Sequence, residues 1–252
     1  MAFTAWTAVW LVALGVGVGA FGTIVGAGGG FILTPILLLL YPHDPAKTIT
    51  AISLTVVFFN ALSGSIAYGR QKRIDYRAGI VFALATLPGA IGGALLTATV
   101  PRRAFDVIMA CVLLALGVWI LVGGRGEVHV PARRLRLGAL YSLGVGFVSS
   151  FLGIGGGIIH VPLLVRALGF PTHVATATSH FVLAIMGGAG AATHAITGGF
   201  AHGHGLRRSA ALSGGVVVGA QLGARISVGL RDVLIQRLLA AALLALAVRL
   251  IV

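Results

Sequence analysis

The chain has 252 residues, of which 58% are hydrophobic and only 9% charged, and its mean hydropathy is +1.05. That composition excludes a soluble globular domain and leaves a polytopic membrane protein, because several stretches of about 20 apolar residues can each cross a hydrocarbon core of roughly 30 Å. The net charge of +13 does not mark a nucleic-acid binder: the cations gather in short loops, at Arg70, Lys72, Arg73 and Arg77 and again at Arg125, Arg133, Arg134 and Arg136, as the positive-inside rule expects of cytoplasmic connections.

Ten apolar segments are predicted in chain order. The first five fall at about 6–25, 31–41, 47–68, 78–99 and 104–122, the second five at about 137–152, 158–169, 173–197, 208–229 and 233–251. No basic residue precedes the first run, which is too long for a cleaved signal, so it is expected to be a span. Trp6, Trp10, Tyr68, Trp119 and Tyr141 lie near segment ends, where aromatic rings favour the membrane interface. Segments 31–41 and 158–169 are the short ones. At 1.5 Å per residue they cover only about 17 Å, roughly half the core. Each follows a glycine run and ends near prolines (Pro42 and Pro45, then Pro171).

Those two places are copies of each other. Gly26-Ala27-Gly28-Gly29-Gly30-Phe31-Ile32-Leu33-Thr34-Pro35 returns as Gly153-Ile154-Gly155-Gly156-Gly157-Ile158-Ile159-His160-Val161-Pro162. Pro45–Ser53 returns as Pro171–Ser179, and Gly89–Ala94 as Gly219–Ala224, in the same order and at nearly the same shift. A duplicated unit is expected, with repeats at 1–124 and 137–252 and a basic cytoplasmic linker at 125–136. Broken helices at matching places of two halves are the sequence pattern of a transporter site, and irregular backbone at membrane depth is tolerated only inside protein or beside a water-filled cavity. Two topologies fit: short segments that re-enter, with four spans per half and parallel halves, or short segments that cross, with five spans and inverted halves. The Lys/Arg surplus inside is nearly the same for both.

The predicted spans hold almost no carboxylate: Asp44, Asp75 and Glu127 fall in loops, and Asp106 and Asp232 at segment starts. A cation pathway normally carries intramembrane Asp or Glu. An inventory of Ser, Thr, Asn, Gln, His and backbone amides suits an anion instead. The glycine runs Gly28, Gly29 and Gly30 and Gly155, Gly156 and Gly157 are the first candidates, because glycine admits close backbone approach and the helix start after it offers free N–H groups and a positive dipole end. The same glycines equally serve a tight hairpin or close helix contact. Ser53 and Ser179 occupy equivalent Ala-x-Ser positions as hydroxyl donors, with helix–helix bonding as the other use. Asn60 is matched by Met186 and has no polar counterpart. His160, His180 and His194 lie in or near spans of the second half only; neutral imidazole donates to oxyanions, and its titration suits proton coupling without a carboxylate. His202 and His204, with His173, read as loop residues rather than a metal clamp. The stripes Gly89–Ala94 and Gly219–Ala224 read as packing faces, which permit a homodimer without demanding one, and Gln221 is the polar exception among them. Asp75 reads as a local charge partner of its basic loop.

These motifs resemble the sulfite exporter TauE/SafE family of sulfur-compound and sulfonate permeases. The resemblance lies in the doubled Gly-x-Gly-Gly-Gly-x-x-x-x-Pro, the Ala-x-Ser segments and the Gly-Ala-x-x-Gly-Ala stripes, and covers nearly the whole chain. It implies an inner-membrane permease of two repeats moving anions such as sulfite, thiosulfate or organosulfonates, often outward. The second half departs in having His160 and His180 where the first has Leu33 and Leu54. The expected protein is thus an all-α polytopic membrane protein, two repeats of 4–5 helices with 8–10 membrane segments, binding a small sulfur anion between the repeats with no cofactor or metal. No Gly-x-x-x-x-Gly-Lys-Ser/Thr motif occurs, so no ATP-driven step is expected of this chain. A carboxylate or other metabolite permease is the alternative, and a membrane-embedded enzyme or assembly factor a further one. For an enzyme, adjacent Ser179 and His180 point about 100° apart on a helix and pair poorly.

Overall fold

A computed structural model describes residues 4–122, 135–227 and 232–251; the expected linker lies outside the described residues up to position 134. All regular structure among the described residues is helical. The ten helices are α1 (Ala5–Val25), α2 (Gly30–Leu40), α3 (Ala46–Arg70), α4 (Tyr76–Thr97), α5 (Arg102–Val122), α6 (Leu135–Leu152), α7 (Gly157–Arg166), α8 (Thr172–Ile196), α9 (Gly205–Ile226) and α10 (Asp232–Ile251). Each matches a predicted apolar segment within a few residues. Six of them, α1, α3, α4, α5, α6 and α8, are long and apolar enough to cross a membrane. This is a multi-pass membrane protein.

Local chemistry sets the ends. The Thr4 hydroxyl accepts from Thr7 N–H ahead of α1, and the Asp75 carboxylate from Ala78 N–H ahead of α4. Pro45 and Pro171 stand immediately before α3 and α8 with φ of −59° and −57°, a value that feeds directly into a helix. The short helix α7 stops before position 169 because Gly169 turns left-handed (φ 69°) and Phe170 N–H closes back on Leu164 O.

Contacts fix the helix directions. At one end, Arg208 at the start of α9 meets Asp44 between α2 and α3, Arg102 at the start of α5 donates to Leu38 O, and Lys47 donates to Thr197 O after α8. At the other end, Tyr68 near the close of α3 reaches Ser227 after α9, and Asp75 N–H donates to Thr178 in the second turn of α8. α1 runs alongside α9 in the same direction, Gly15 against Leu212 and Gly215, and Ala20 against Gly223. It therefore starts at the Asp44 end, and α2 returns there. α6 starts at the Asp75 end, and α7 returns to it, with Ser142 against His160 and Gly138 against Leu168. Each helix pair is a hairpin closed by a glycine run, and each is followed by three helices that traverse the bundle. The first five helices and the last five consequently run in opposite senses. The helices alternate in direction through each five and the two fives are inverted, the sense of the second topology weighed from the sequence, although α2 and α7 are each too short to cross alone.

The two fives interlock. α1 lies along α9 and α4 along α6; α3 crosses α8, and α5 runs beside α10; α3 also packs on α9, and α8 on α4. Exchanging the first five helices for the last five leaves this set of pairings unchanged. The small-residue stripes make the close contacts possible: Gly89 and Gly93 sit against the α6 backbone at Leu143 and Phe147, and Gly219 and Gly223 against the α1 backbone at Val16 and Ala20. Gln221 turns to α3, where its Nε2 donates to Ser63 O at 2.8 Å. Tyr68, expected at the interface, is 1% exposed, because its hydroxyl donates to Thr23 O at 2.9 Å inside the bundle.

Candidate functional site

The two glycine runs meet at the centre of the bundle. Gly29 has φ of 79°, a left-handed conformation that side chains rarely tolerate, and this reverses the chain from α1 into α2. Gly30 and Gly157 serve close approach: a Cβ at Gly30 would stand 2.7 Å from the Ile154 carbonyl carbon, and one at Gly157 would overlap the Gly26 carbonyl oxygen. Val57 and Leu183, one from each half, flank the crossing. Among the described residues, the N–H groups of Gly29, Gly30 and Phe31, and of Gly155, Gly156, Gly157 and Ile158, donate to no backbone carbonyl. These are the donors that every helix start leaves over.

Ser53 and Ser179 each reach across to the opposite run. Ser53 Oγ donates to Gly153 O at 2.6 Å, and Ser179 Oγ donates to Gly26 O at 3.4 Å. The two bonds differ because Thr34, on α2, adds its hydroxyl to the first, 2.7 Å from Gly153 O and 2.8 Å from Ser53 Oγ. Val161 holds the matching place on α7 and brings no hydroxyl.

A polar cluster lies beside the first run. Thr23 Oγ1 donates to Asn60 Oδ1 at 3.2 Å, and the His180 ring stands edge-on to Tyr68, 5.5 Å between centroids. Gly64, between Asn60 and Tyr68 on α3, admits the imidazole: a Cβ there would lie 2.6 Å from His180 Cδ2. Asn60 and His180 are fully buried, and Asn60 Nδ2 and both His180 ring nitrogens lack hydrogen-bond partners, the Thr176 backbone one turn back standing near the ring but outside hydrogen-bond geometry. At the matching place in the second half, Gly190 faces Leu54 and Ser150, and Met186 replaces Asn60. His160 sits apart from this cluster, its Nε2 3.1 Å from Ser142 Oγ and its ring edge-on to Phe82. His194 is buried near the opposite end, one turn before the Thr197 carbonyl that Lys47 holds.

A cavity of about 250 Å³ opens at the Asp75 end, between α1, α3, α7 and α8. Gly157 and Ile158 of the second glycine hairpin and Tyr68 of the polar cluster are among its walls, and Arg73 and Arg166 stand in its lining. It thus joins one end of the bundle to both features.

The model of the family described as sulfite exporter TauE/SafE matches residues 11–250. The chain belongs to the TauE/SafE family. It is 27% identical over 213 residues to a probable membrane transporter protein, YunE, of Bacillus subtilis, covering 75% of this chain and 78% of that one. It is 31% identical over 173 residues to a probable membrane transporter protein of Haemophilus influenzae (66% and 64%) and 28% identical over 176 residues to one of Methanocaldococcus jannaschii (67% and 65%). No solved structure matches the chain. Family and relatives make the protein a membrane permease, a transporter rather than an enzyme by their names.

In this TauE/SafE permease, the sequence candidates separate into three groups. The glycines, Ser53 and Ser179 come together at the crossing; Asn60 and His180 come together beside it; His160 lies on the α6 side. Thr23, Thr34, Tyr68, Arg73 and Arg166 join the site region without having been singled out for it. Thr34 had a readable signal, as the one hydroxyl inside the first glycine–proline motif. The arginines had none, because loop cations read first as topology.

Proposed function

We propose that this TauE/SafE permease moves a small sulfur oxyanion or sulfonate, such as sulfite or thiosulfate, held between two oppositely directed repeats and exposed to either side in turn. The observation that carries the reading is the meeting of the two glycine hairpins, whose unpaired helix-start N–H groups gather at one central place. Gly29, Gly30, Gly155, Gly156 and Gly157 supply that backbone cradle, while Gly28, whose N–H donates to Gly22 O, serves the turn. Ser53 and Ser179 hold the hairpins in register across the halves, Asn60 and His180 are side-chain donors, and His160 is a donor kept in place by Ser142. The repeats run over 1–124 and 137–252; the exchangeable helix pairings support that division.

The Asp75 end faces the cytoplasm of a cell whose inner membrane holds the protein. Among the described residues, only Lys47, Arg102, Arg103, Arg207, Arg208 and Arg249 of the Lys and Arg belong to helix ends or connections at the Asp44 end, and positive charge is retained inside. The cavity then opens inward, as an exporter loading from the cytoplasm requires. Proton coupling and a homodimer are compatible extensions.

Flux in proteoliposomes tests the reading, with sulfite, thiosulfate, sulfate, a sulfonate and a carboxylate supplied at two pH values. Saturable flux of a sulfur anion is expected. Flux of the carboxylate alone would move the substrate class to carboxylates, and flux of none would sink the anion reading.

A further inference from the structure

The cavity at the Asp75 end is chemically lopsided. Arg73, from the connection between α3 and α4, and Arg166, from the last turn of α7, line the same space, and no carboxylate is among the described residues of its lining. Tyr68, Thr176 and Ser227 line it too, while Ile24, Val25, Ile158 and Val161 supply apolar wall. Two guanidinium groups beside one partly apolar cavity raise each other's energy and lower that of an anion between them, the more so where wall atoms exclude water. Guanidinium forks match the paired oxygens of a sulfur oxyanion or carboxylate. The chemistry of this lining is that of an oxyanion site, and its two charges come from opposite halves of the chain.

We propose that this cavity is a distinct uptake site, where the permease first holds its oxyanion between Arg73 and Arg166, with Tyr68 as the inner wall separating it from Asn60 and His180. The inference rests on the oxyanion-permease reading above and adds a second site to it. Tyr68 is suited to that place. Its ring packs on His180 while its hydroxyl faces Thr23 O and, at 3.5 Å, Ser227 Oγ, so one side chain touches both the buried cluster and the cavity.

Trp119 reports on the site directly, because the Arg166 guanidinium lies over its ring, 5.3 Å from the centroid. The chain has 3 tryptophans, so Trp6→Phe with Trp10→Phe leaves Trp119 alone. Its fluorescence in purified, detergent-solubilised protein is titrated with sulfite, sulfate, taurine and acetate. A saturable change with at least one of these anions is expected. Arg73→Gln should raise the apparent Kd about tenfold or more, the loss of a charge-assisted bond. Arg73→Lys should fall between, and serves where the Gln variant does not fold. Arg70→Gln, an exposed cation outside the lining, should stay within about twofold. No saturable change with any of the four, or an equal loss with Arg70→Gln, overturns the uptake site. Saturation by acetate alone keeps the site but removes sulfur from the functional reading, and flux without any Trp119 response keeps the permease and removes the site.

Discussion

Ser53 donates to the carbonyl of Gly153, 100 positions away in the chain, at 2.6 Å. The bond ties a traversing helix of one half to the glycine hairpin of the other, and Ser179 with Gly26 repeats it at 3.4 Å. The shorter bond has a second donor in Thr34, so the Gly153 carbonyl uses both lone pairs on side chains.

This asymmetry gives the first prediction. Ser53→Ala should cost about 1 kcal/mol, because the carbonyl keeps Thr34. Ser53→Ala combined with Thr34→Val should cost about 2–3 kcal/mol, more than the two singles together, since only the double variant strands a buried carbonyl. Ser179→Ala should cost less than Ser53→Ala, its bond being long. Thermal unfolding in one detergent ranks the four proteins, and a Ser179→Ala loss larger than that of Ser53→Ala contradicts the account.

Glycines divide by what stands beside them. Gly30→Ala and Gly157→Ala each drive a methyl into the backbone of the opposite hairpin, where nothing flexible yields, and each should cost about 3 kcal/mol or more. Gly17 and Gly214 have nothing within 4 Å of a built Cβ and lie inside helices. Alanine there should be neutral or stabilising by up to about 1 kcal/mol. Yield of monodisperse protein and melting temperature separate the two classes.

Much of this arrangement was readable from residues, and the unread part has a physical cause. Hydropathy gives a segment's length, and ten lengths were readable; it carries no direction. α1 is long enough to cross and was counted as a full span of its half, and the left-handed Gly26, Gly28 and Gly29 turn the chain back through α2. Small-residue stripes announced close contact, but a glycine face is the same surface to every helix, so nothing in Gly219–Ala224 named α1 as its partner. Ser53 and Ser179 were legible as a matched pair because duplication marks equivalent positions. That each would bond the other half's hairpin was not, since sequence order says nothing of exchange between halves. Arg73 and Tyr68 were masked by commoner explanations for their residue types, loop charge and interfacial ring.

The unequal halves permit a paired test. Gly64→Ala places a methyl 2.6 Å from His180 Cδ2, and Gly190→Ala places one 2.9 Å from Leu54 Cδ1. Packing alone predicts similar losses of about 1–3 kcal/mol for both. If Asn60 and His180 bind the substrate, Gly64→Ala should also raise the flux KM about tenfold while Gly190→Ala leaves it within about twofold. Equal KM effects would assign the first position to packing only.

The Asp44 end is held by a different kind of contact. Arg208, 4% exposed, lies over the Tyr41 ring at 3.7 Å and meets Asp44 Oδ2 at 2.6 Å, joining the first turn of α9 to the α2–α3 connection. Removing either charge leaves its partner desolvated, so Asp44→Asn and Arg208→Gln should each cost about 3 kcal/mol. The double variant should cost clearly less than their sum, with a coupling above about 1 kcal/mol. Arg102 and Asp106, one turn apart on α5 with side chains 22% and 26% exposed, should couple by only about 0.5 kcal/mol. Added salt should erode the second coupling and spare the first, because screening acts mainly on exposed charges. A double-mutant cycle at two salt concentrations measures all of this, and a salt-sensitive Asp44–Arg208 coupling would mean that water enters this end of the bundle.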